Sequence, residues 1–374
     1  METKAINTKL KGHARVDAAD VLRGLAVMGI IILHSIEHFN FYSFPDTAGQ
    51  SAWLNFSDKA IWNGLFFMFG GKAYAIFALL FGFCWRLILL FLIGNINASF
   101  FTAEVLVLYS LVGFILPLTC RLKDKWIFAL ACLLLIQPLP LYYVIRACLD
   151  PEFVTPAIPT RSFWNATFAV QSNGNFLETI RVNLWEGQLA SLAWAWDHGR
   201  VFQTAALFLL GMLIGRKGLF LKEHLKVWNK VLASSLVAFF PLYGLGNMLP
   251  DFITNKSILT PLSLIITSLS NFAFMLILVS GVVFAFYKTN LHDGLMKITP
   301  YGKMSLTNYI TQSIVGSMLY YNWGFALHNQ FGITASCLAG IVFFILQFSF
   351  CRWWMNHHSH GPMEYIWKRA TWLK

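Results

Sequence analysis

Residues 20–39 read "DVLRGLAVMGIIILHSIEHF". From Val21 to Leu33 the run is apolar or small apart from Arg23, and with its flanks it reaches the roughly 20 residues that a helix needs to cross a bilayer. The stretch therefore predicts a membrane-spanning helix. It carries Arg23 near one end and His34, Glu37 and His38 near the other. Ionisable groups are expensive in hydrocarbon and face a wet cavity or a partner. The four together mark a place to look for function.

Working outward, the same kind of run recurs along the whole chain. Of 374 residues, 57% are hydrophobic and 12% charged, about half the roughly 25% charged residues of soluble domains. The pattern predicts an all-α polytopic membrane protein, a single transmembrane domain over residues 1–374. Ten spans are expected at 20–41, 61–83, 86–99, 103–120, 126–147, 199–216, 226–248, 258–287, 303–322 and 332–354. With both termini cytoplasmic, 21 of the 28 basic residues fall on the inner side, as the positive-inside rule requires. The basic start leads into the first span without a small-residue cleavage site, so that span is expected to be retained.

The net charge of +11 is explained by those inner segments meeting anionic lipid, and no nucleic acid is expected. The six cysteines are scattered, with no CxxC pair, so neither a disulfide framework nor a zinc site is indicated by them. The third span is short and ends in Gly94, Asn95 and Asn97, which suits a helix stopping against neighbouring protein. Spans two and three meet at "FGFCWRL" (81–87) with almost no linker. Residues 148–198 form the one long hydrophilic stretch, expected outside. Its prolines predict irregular chain, and "NFLETIRVNLWEGQLASLAWAW" (175–196) predicts an amphipathic helix on the outer surface. Residues 360–374 predict a short cytoplasmic interfacial helix.

Helical geometry relates the charged groups of the first span. Arg23 and His34 are eleven positions apart, which places them about 20° apart in phase and about 16 Å apart along the axis. Glu37 and His38 follow one turn on. A histidine beside a carboxylate is held in one tautomer and can act as a general base. The same letters, "HSIEH" (34–38), also fit the inverted zinc motif H-x-x-E-H. That reading needs a further ligand, for which His198, His292, His357, His358 and His360 are available. The motif is short enough to recur by chance, and no metal is expected. Lys72 lies within the second span. It either pairs with Glu37 or Glu104, or binds a phosphate or carboxylate as a point charge. Asn308 and Gln312, at i and i+4 in "YGKMSLTNYITQS" (301–313), either hold helices together or border a cavity.

Taken in order, "LRGLAVMGI", "GK" with "FALLFGF", "VLVLYSLVGFILPL", "FLLGMLIGRKGL", "YGKMSLTNYITQS" and "HGPMEYIWKRAT" resemble the YeiB-like membrane family, a domain of unknown function. That family is similar to transmembrane acyltransferases, including acyltransferase type three proteins and the heparan acetyltransferase. The type three enzymes carry an arginine, ten residues and then a histidine in span one, the spacing of Arg23 and His34. The resemblance implies a bacterial cytoplasmic membrane protein. It implies that Arg23 helps to bind acyl-coenzyme A, acetyl-coenzyme A being the simplest donor, and that His34 serves the transfer. The chain departs from the family in its short connection between spans two and three, and in having His34 where many relatives have asparagine.

The resulting expectation is transfer of an acyl group from cytoplasmic acyl-coenzyme A to a small-molecule or glycan acceptor outside or in the membrane. His34, Glu37 and His38 would be catalytic, and Arg23, Lys72, Asn308 and Gln312 would line a cavity opening to the cytoplasm near Arg23. Two other classes remain: a secondary transporter or flippase using the same cavity, and a membrane metalloprotein using His34, Glu37 and His38. The partners are the bilayer and the acceptor, with assembly into oligomers left open.

Overall fold

The computed structural model describes residues 17–42, 49–80, 85–156 and 158–371. All regular structure among them is helical. A helix or a broken pair of helices falls on each of the ten expected segments. Four helices are long and apolar enough to cross a membrane, and six spans result if each of two sharply bent pairs is counted as one. The "FGFCWRL" junction lies largely on residues 81–84, outside the described residues.

Helix α1 (Asp17–Ile36) is the central post, with most of its residues buried. At its N-terminal end it touches a later turn of chain so closely that a Cβ on Gly302 would lie 1.8 Å from the Asp20 carbonyl oxygen. Small residues permit such approach between membrane helices. The second expected span is broken. Helix α2 (Ala52–Phe69) stops at Gly70, whose N–H bonds the Phe66 carbonyl, and α3 (Ala73–Leu79) restarts after Lys72. Gly71 makes the break at φ 72°, a backbone conformation that side chains rarely adopt. Helix α4 (Trp85–Ala98) ends early, as its asparagines suggest. Asn97 donates to Glu104, and Asn95 accepts from Gln188 of the overlying segment at 2.9 Å.

The fourth segment is split into α5 (Val105–Val112) and α6 (Ile115–Thr119). The fifth is split into α7 (Asp124–Leu135) and α8 (Pro138–Leu149), bent by 50°. Gln137 sits in the bend at φ 60°. Its buried amide donates to the Gly199 carbonyl and to Ser268 Oγ, both at 3.0 Å, and these bonds hold the left-handed backbone in place.

The hydrophilic stretch at 148–198 begins with irregular chain and then forms α9 (Thr160–Asn173), a helix that periodicity did not single out. A capping box at Asn175 and Glu178 starts α10 (Phe176–Val182), which runs through a π turn (Asn183–Gly187) into α11 (Gln188–Asp197). The chain then turns by 75° into α12 (Arg200–Lys217). Leu177 and Trp185 are among the apolar side chains that α10 and the π turn leave exposed, consistent with an amphipathic surface helix that bends into a span.

Helices α13 (Leu225–Phe252) and α14 (Lys256–Lys288) form an antiparallel pair. Val237, Phe240 and Phe252 of α13 are exposed by two thirds or more, far more apolar surface than a water-facing helix presents. Short α15 (His292–Met296) and α16 (Thr299–Lys303) lead into α17 (Ser305–Tyr320), then α18 (Ile333–His357) and the terminal α19 (Pro362–Thr371). Glu364 of α19 accepts from the Leu306 and Thr307 N–H groups at 2.7 and 3.1 Å. It satisfies donors that the start of α17 cannot.

Candidate functional site

One cavity, partly open to solvent, lies around the C-terminal end of α1. Its walls are mostly apolar, with a few convergent polar groups, the usual make-up of a ligand site. Ile30, Leu33, His34, Glu37 and His38 come from α1 and the turn after it. Gly71 and Tyr74 come from the α2–α3 break, Glu104 from the cap of α5, and Trp164 from α9. Ser191 and Trp194 of α11, Arg200 of α12 and Tyr309 of α17 complete it.

The last turn of α1 is unwound. Phe41 and Tyr42 sit at φ 53° and 54°, sparsely populated for residues with side chains. That turn brings Tyr42 back over the site. Its hydroxyl donates to Glu37 Oε1 at 2.6 Å and lies 3.0 Å from His38 Nε2. His38 Nδ1 is 3.2 Å from the same carboxylate oxygen. The His34 ring stands edge-on to His38 at 4.9 Å and also packs on Phe101. His34 Nδ1, Glu37 Oε2 and His38 Nδ1 are buried without a hydrogen-bond partner. Leaving His34 Nδ1 and Glu37 Oε2 unbonded in one place is costly and fits a site that a ligand completes.

One donor atom from each of His34, Glu37 and His38 lies within 4.8 Å of the others, and among the described residues no further histidine or carboxylate joins this group. Zinc bonds of about 2.1 Å allow two donors to be at most about 4.2 Å apart. The set therefore approaches a metal site without adding a fourth ligand. His198, His292, His357 and His358 instead face backbone carbonyls of their own segments, and His360 pairs with Ser359.

The structure does not bring all the expected site residues together. Arg23 is at the other end of α1, paired with Asp20 at 2.6 Å, and it does not line the cavity. The cavity floor at Ile30 is seven residues away, about 10 Å along the axis. The expected opening near Arg23 is thus corrected: equal helical phase does not bridge that rise, and Gly302 and Ile298 pack against this part of α1. Asn308 and Gln312 are also elsewhere. Gln312 Nε2 donates to Tyr301 Oη and to Gln347 Oε1 at 3.1 and 3.2 Å, and Asn308 Nδ2 donates to the Tyr301 carbonyl at 3.0 Å. They join α16, α17 and α18.

Lys72 is 8% exposed and, contrary to expectation, does not line the cavity, although Gly71 and Ala73 beside it do. Among the described residues it has no ion pair with Glu37 or Glu104, so that expectation is corrected. Glu104 is occupied as the cap of α5, accepting from Leu106 N–H at 2.5 Å and from Asn97. The Lys72 ammonium instead lies 5.7 and 5.4 Å from the ring centres of Phe67 and Phe274. Sequence reasoning missed Arg200, the second residue of the expected span 199–216. Its signal was position: a basic residue straight after a glycine, at the first turn of an apolar run. Trp164, Tyr74 and Trp194 carried no spacing signal.

Residues 214–374 match a family model described as "Protein of unknown function (DUF418)". The chain is 26% identical to "Uncharacterized protein YxaH" of Bacillus subtilis strain 168, over 96% of this chain and 95% of that protein. It is 24% identical to "Uncharacterized protein YeiB" of Escherichia coli K12, over 94% and 95%. A third relative is "Uncharacterized 39.9 kDa protein in amylase 3'region" of Bacillus acidopullulyticus, 23% identical over 96% and 94%. No solved structure matches the chain. The likenesses run nearly end to end and include the cavity-forming half that precedes the family match, and they support the resemblance to the YeiB-like family.

Proposed function

We propose that the chain is a multi-pass acyltransferase of the bacterial cytoplasmic membrane. In this reading it has ten spans, both termini cytoplasmic and residues 148–198 outside, as a single transmembrane domain. The observation that carries it is His34, a cavity-wall histidine with a buried, unbonded Nδ1, beside a Glu37–Tyr42–His38 cluster that fixes its surroundings. An acceptor hydroxyl or amine in the cavity gives its proton to His34. The acceptor oxygen or nitrogen forms a bond to the thioester carbonyl carbon of acyl-coenzyme A. The carbon–sulfur bond breaks, and the thiolate takes the proton back from His34. The aromatic walls exclude water, which would otherwise hydrolyse the thioester. The basic inner segments attract the phosphates of the coenzyme at the cytoplasmic face. Asn308 and Gln312 hold helices and take no part. The experiment is release of free coenzyme A from acetyl-coenzyme A by purified protein in liposomes of total membrane lipid. Release above empty liposomes supports the reading. Its absence, with uptake of a solute instead, favours a transporter or flippase.

A second reading, a metal-dependent membrane protein, is supported by the proximity of the His34, Glu37 and His38 donor atoms. About one zinc per purified chain, lost in His38→Ala, would select it.

A further inference from the structure

We propose that the cavity binds a ligand through an anionic group, a carboxylate or a phosphate, held on the unpartnered edge of Arg200. The inference rests on reading this cavity as the substrate site, and it does not depend on the transfer step.

Arg200 is the first residue of α12, so the positive end of that helix dipole lies at the same place. Its guanidinium is fixed on one side only. Nη1 donates to Tyr74 Oη at 2.9 Å and to Gln203 Oε1 at 2.8 Å. Tyr74 itself donates to Gln203, and Gln203 donates to the Ser268 carbonyl at 3.2 Å. The guanidinium also lies over the Tyr74 and Trp194 rings, 4.7 and 5.5 Å from their centres. These contacts set its plane. The opposite edge is not used: Nε is buried without a partner, and no described group accepts from Nη2. Nε and Nη2 are the parallel donors that receive a carboxylate or phosphate in bidentate fashion.

The space for the anion is the cavity that Arg200 and Gly71 both line, and the missing side chain at residue 71 lets the guanidinium come close to that turn. A Cβ there would stand 3.0 Å from Arg200 Nη2, 3.2 Å from Arg200 Nη1 and 3.0 Å from Asn271 Nδ2. Two donor side chains thus converge over the glycine. The next residue, Lys72, is more than nine-tenths buried. Among the described residues neither Arg200 nor Lys72 has a carboxylate within the 4.0 Å of an ion pair. Two cations beside one turn, with no anion between them, are unfavourable as they stand. A bound anion relieves both.

Glu37 and Glu104 are on the same cavity but are committed elsewhere, Glu37 to Tyr42 and Glu104 to Leu106 and Asn97. The cavity is therefore polar at two places: an anion site at Arg200, and the His34–Glu37 cluster where a hydroxyl or amine is recognised. A ligand that reaches both carries an acid at one end and a hydroxyl or amine at the other. The acid is part of a soluble metabolite, such as a sugar acid or sugar phosphate, or of a phospholipid headgroup.

The test uses full-length purified protein in phosphatidylcholine nanodiscs, without acyl donor, reading tryptophan fluorescence, since Trp164 and Trp194 line the site. Glucuronate and glucose 1-phosphate are titrated against glucose. In a second arm, thermal stability and retained lipid are compared between phosphatidylcholine discs and discs containing phosphatidylglycerol. The expected result is saturable binding of the acid-bearing probe in one arm, none of glucose, and weakening by about 30-fold or more in Arg200→Gln. Lys72→Gln, which leaves the Tyr74–Gln203 contacts intact, weakens the same probe to a lesser degree, so a poorly folded Arg200 variant does not remove the test. Glucose binding as well as the acids, no acid-bearing probe binding in either arm, or unchanged binding in both the Arg200 and Lys72 variants overturns the proposal. Binding without any release of coenzyme A leaves this inference standing and removes the acyltransferase reading. Coenzyme A release without anion binding does the reverse.

Discussion

Gln347→Leu separates a helix-joining role for the Asn308–Gln312 patch from a ligand-binding one. Gln347 is buried on α18 and takes part in four hydrogen bonds to the neighbouring helices. Its Oε1 accepts from Tyr301 Oη at 3.1 Å and from Gln312 Nε2 at 3.2 Å. Its Nε2 donates to the Asn308 carbonyl at 3.1 Å and to Thr311 Oγ1 at 2.6 Å. Leucine keeps the volume and removes all four. Hydrogen bonds between membrane helices average about 0.6 kcal/mol each, which gives about 2.4 kcal/mol. Gln312 Nε2 and Thr311 keep other partners, at Tyr301 Oη and at carbonyls of α17, which lowers the figure. Tyr301 Oη loses an acceptor in a fully buried position, which raises it, since an orphaned buried donor costs about 1–3 kcal/mol. The net expectation is a loss of about 2–3 kcal/mol in reversible detergent-induced unfolding, with ligand binding in the cavity unchanged. A loss below about 0.5 kcal/mol, smaller than a single average contact, refutes the helix-joining account. So does a change in cavity binding at full stability.

Tyr42→Phe removes the hydroxyl that bridges Glu37 and His38, and acyl transfer should fall about 10-fold to 100-fold because the cluster beside the base is no longer fixed. Turnover measured beside an unfolding curve checks it. Gly302→Val places a side chain against the Asp20 carbonyl, and the overpacked contact should cost about 1–3 kcal/mol, read by unfolding of the purified variant. Single cysteines at 122, 220 and 295 should resist an impermeant maleimide in intact cells while one at 170 reacts, and labelling at 220 from outside removes the ten-span arrangement.

Helix placement was readable because a bilayer demands long apolar runs, and the sequence displays those runs openly. The breaks were harder. Gly70–Gly71 and Gln137 interrupt helices at points chosen by tertiary contacts: the Gln137 amide needs Gly199 and Ser268, residues more than 60 positions away. Composition carries no trace of such pairing. The site shows the same division. His34, Glu37 and His38 lie within five residues, so local spacing brought them together. Arg200 reaches them only through the bend between α11 and α12. Arg23 shares His34's phase but not its depth, a distinction that a helical wheel discards. Asn308 and Gln312 shared a face, yet which helix covers that face is settled by packing.

The measurement that bears most directly on the central claim is coenzyme A release from acetyl-coenzyme A by wild-type protein, His34→Ala and His34→Gln, in liposomes of total membrane lipid and with folding checked on each sample. The account predicts measurable release by the wild type and a fall of about 100-fold or more in both variants, since removal of a general base loses about 10²–10⁴ in rate. Equal release by folded wild type and both variants would contradict it.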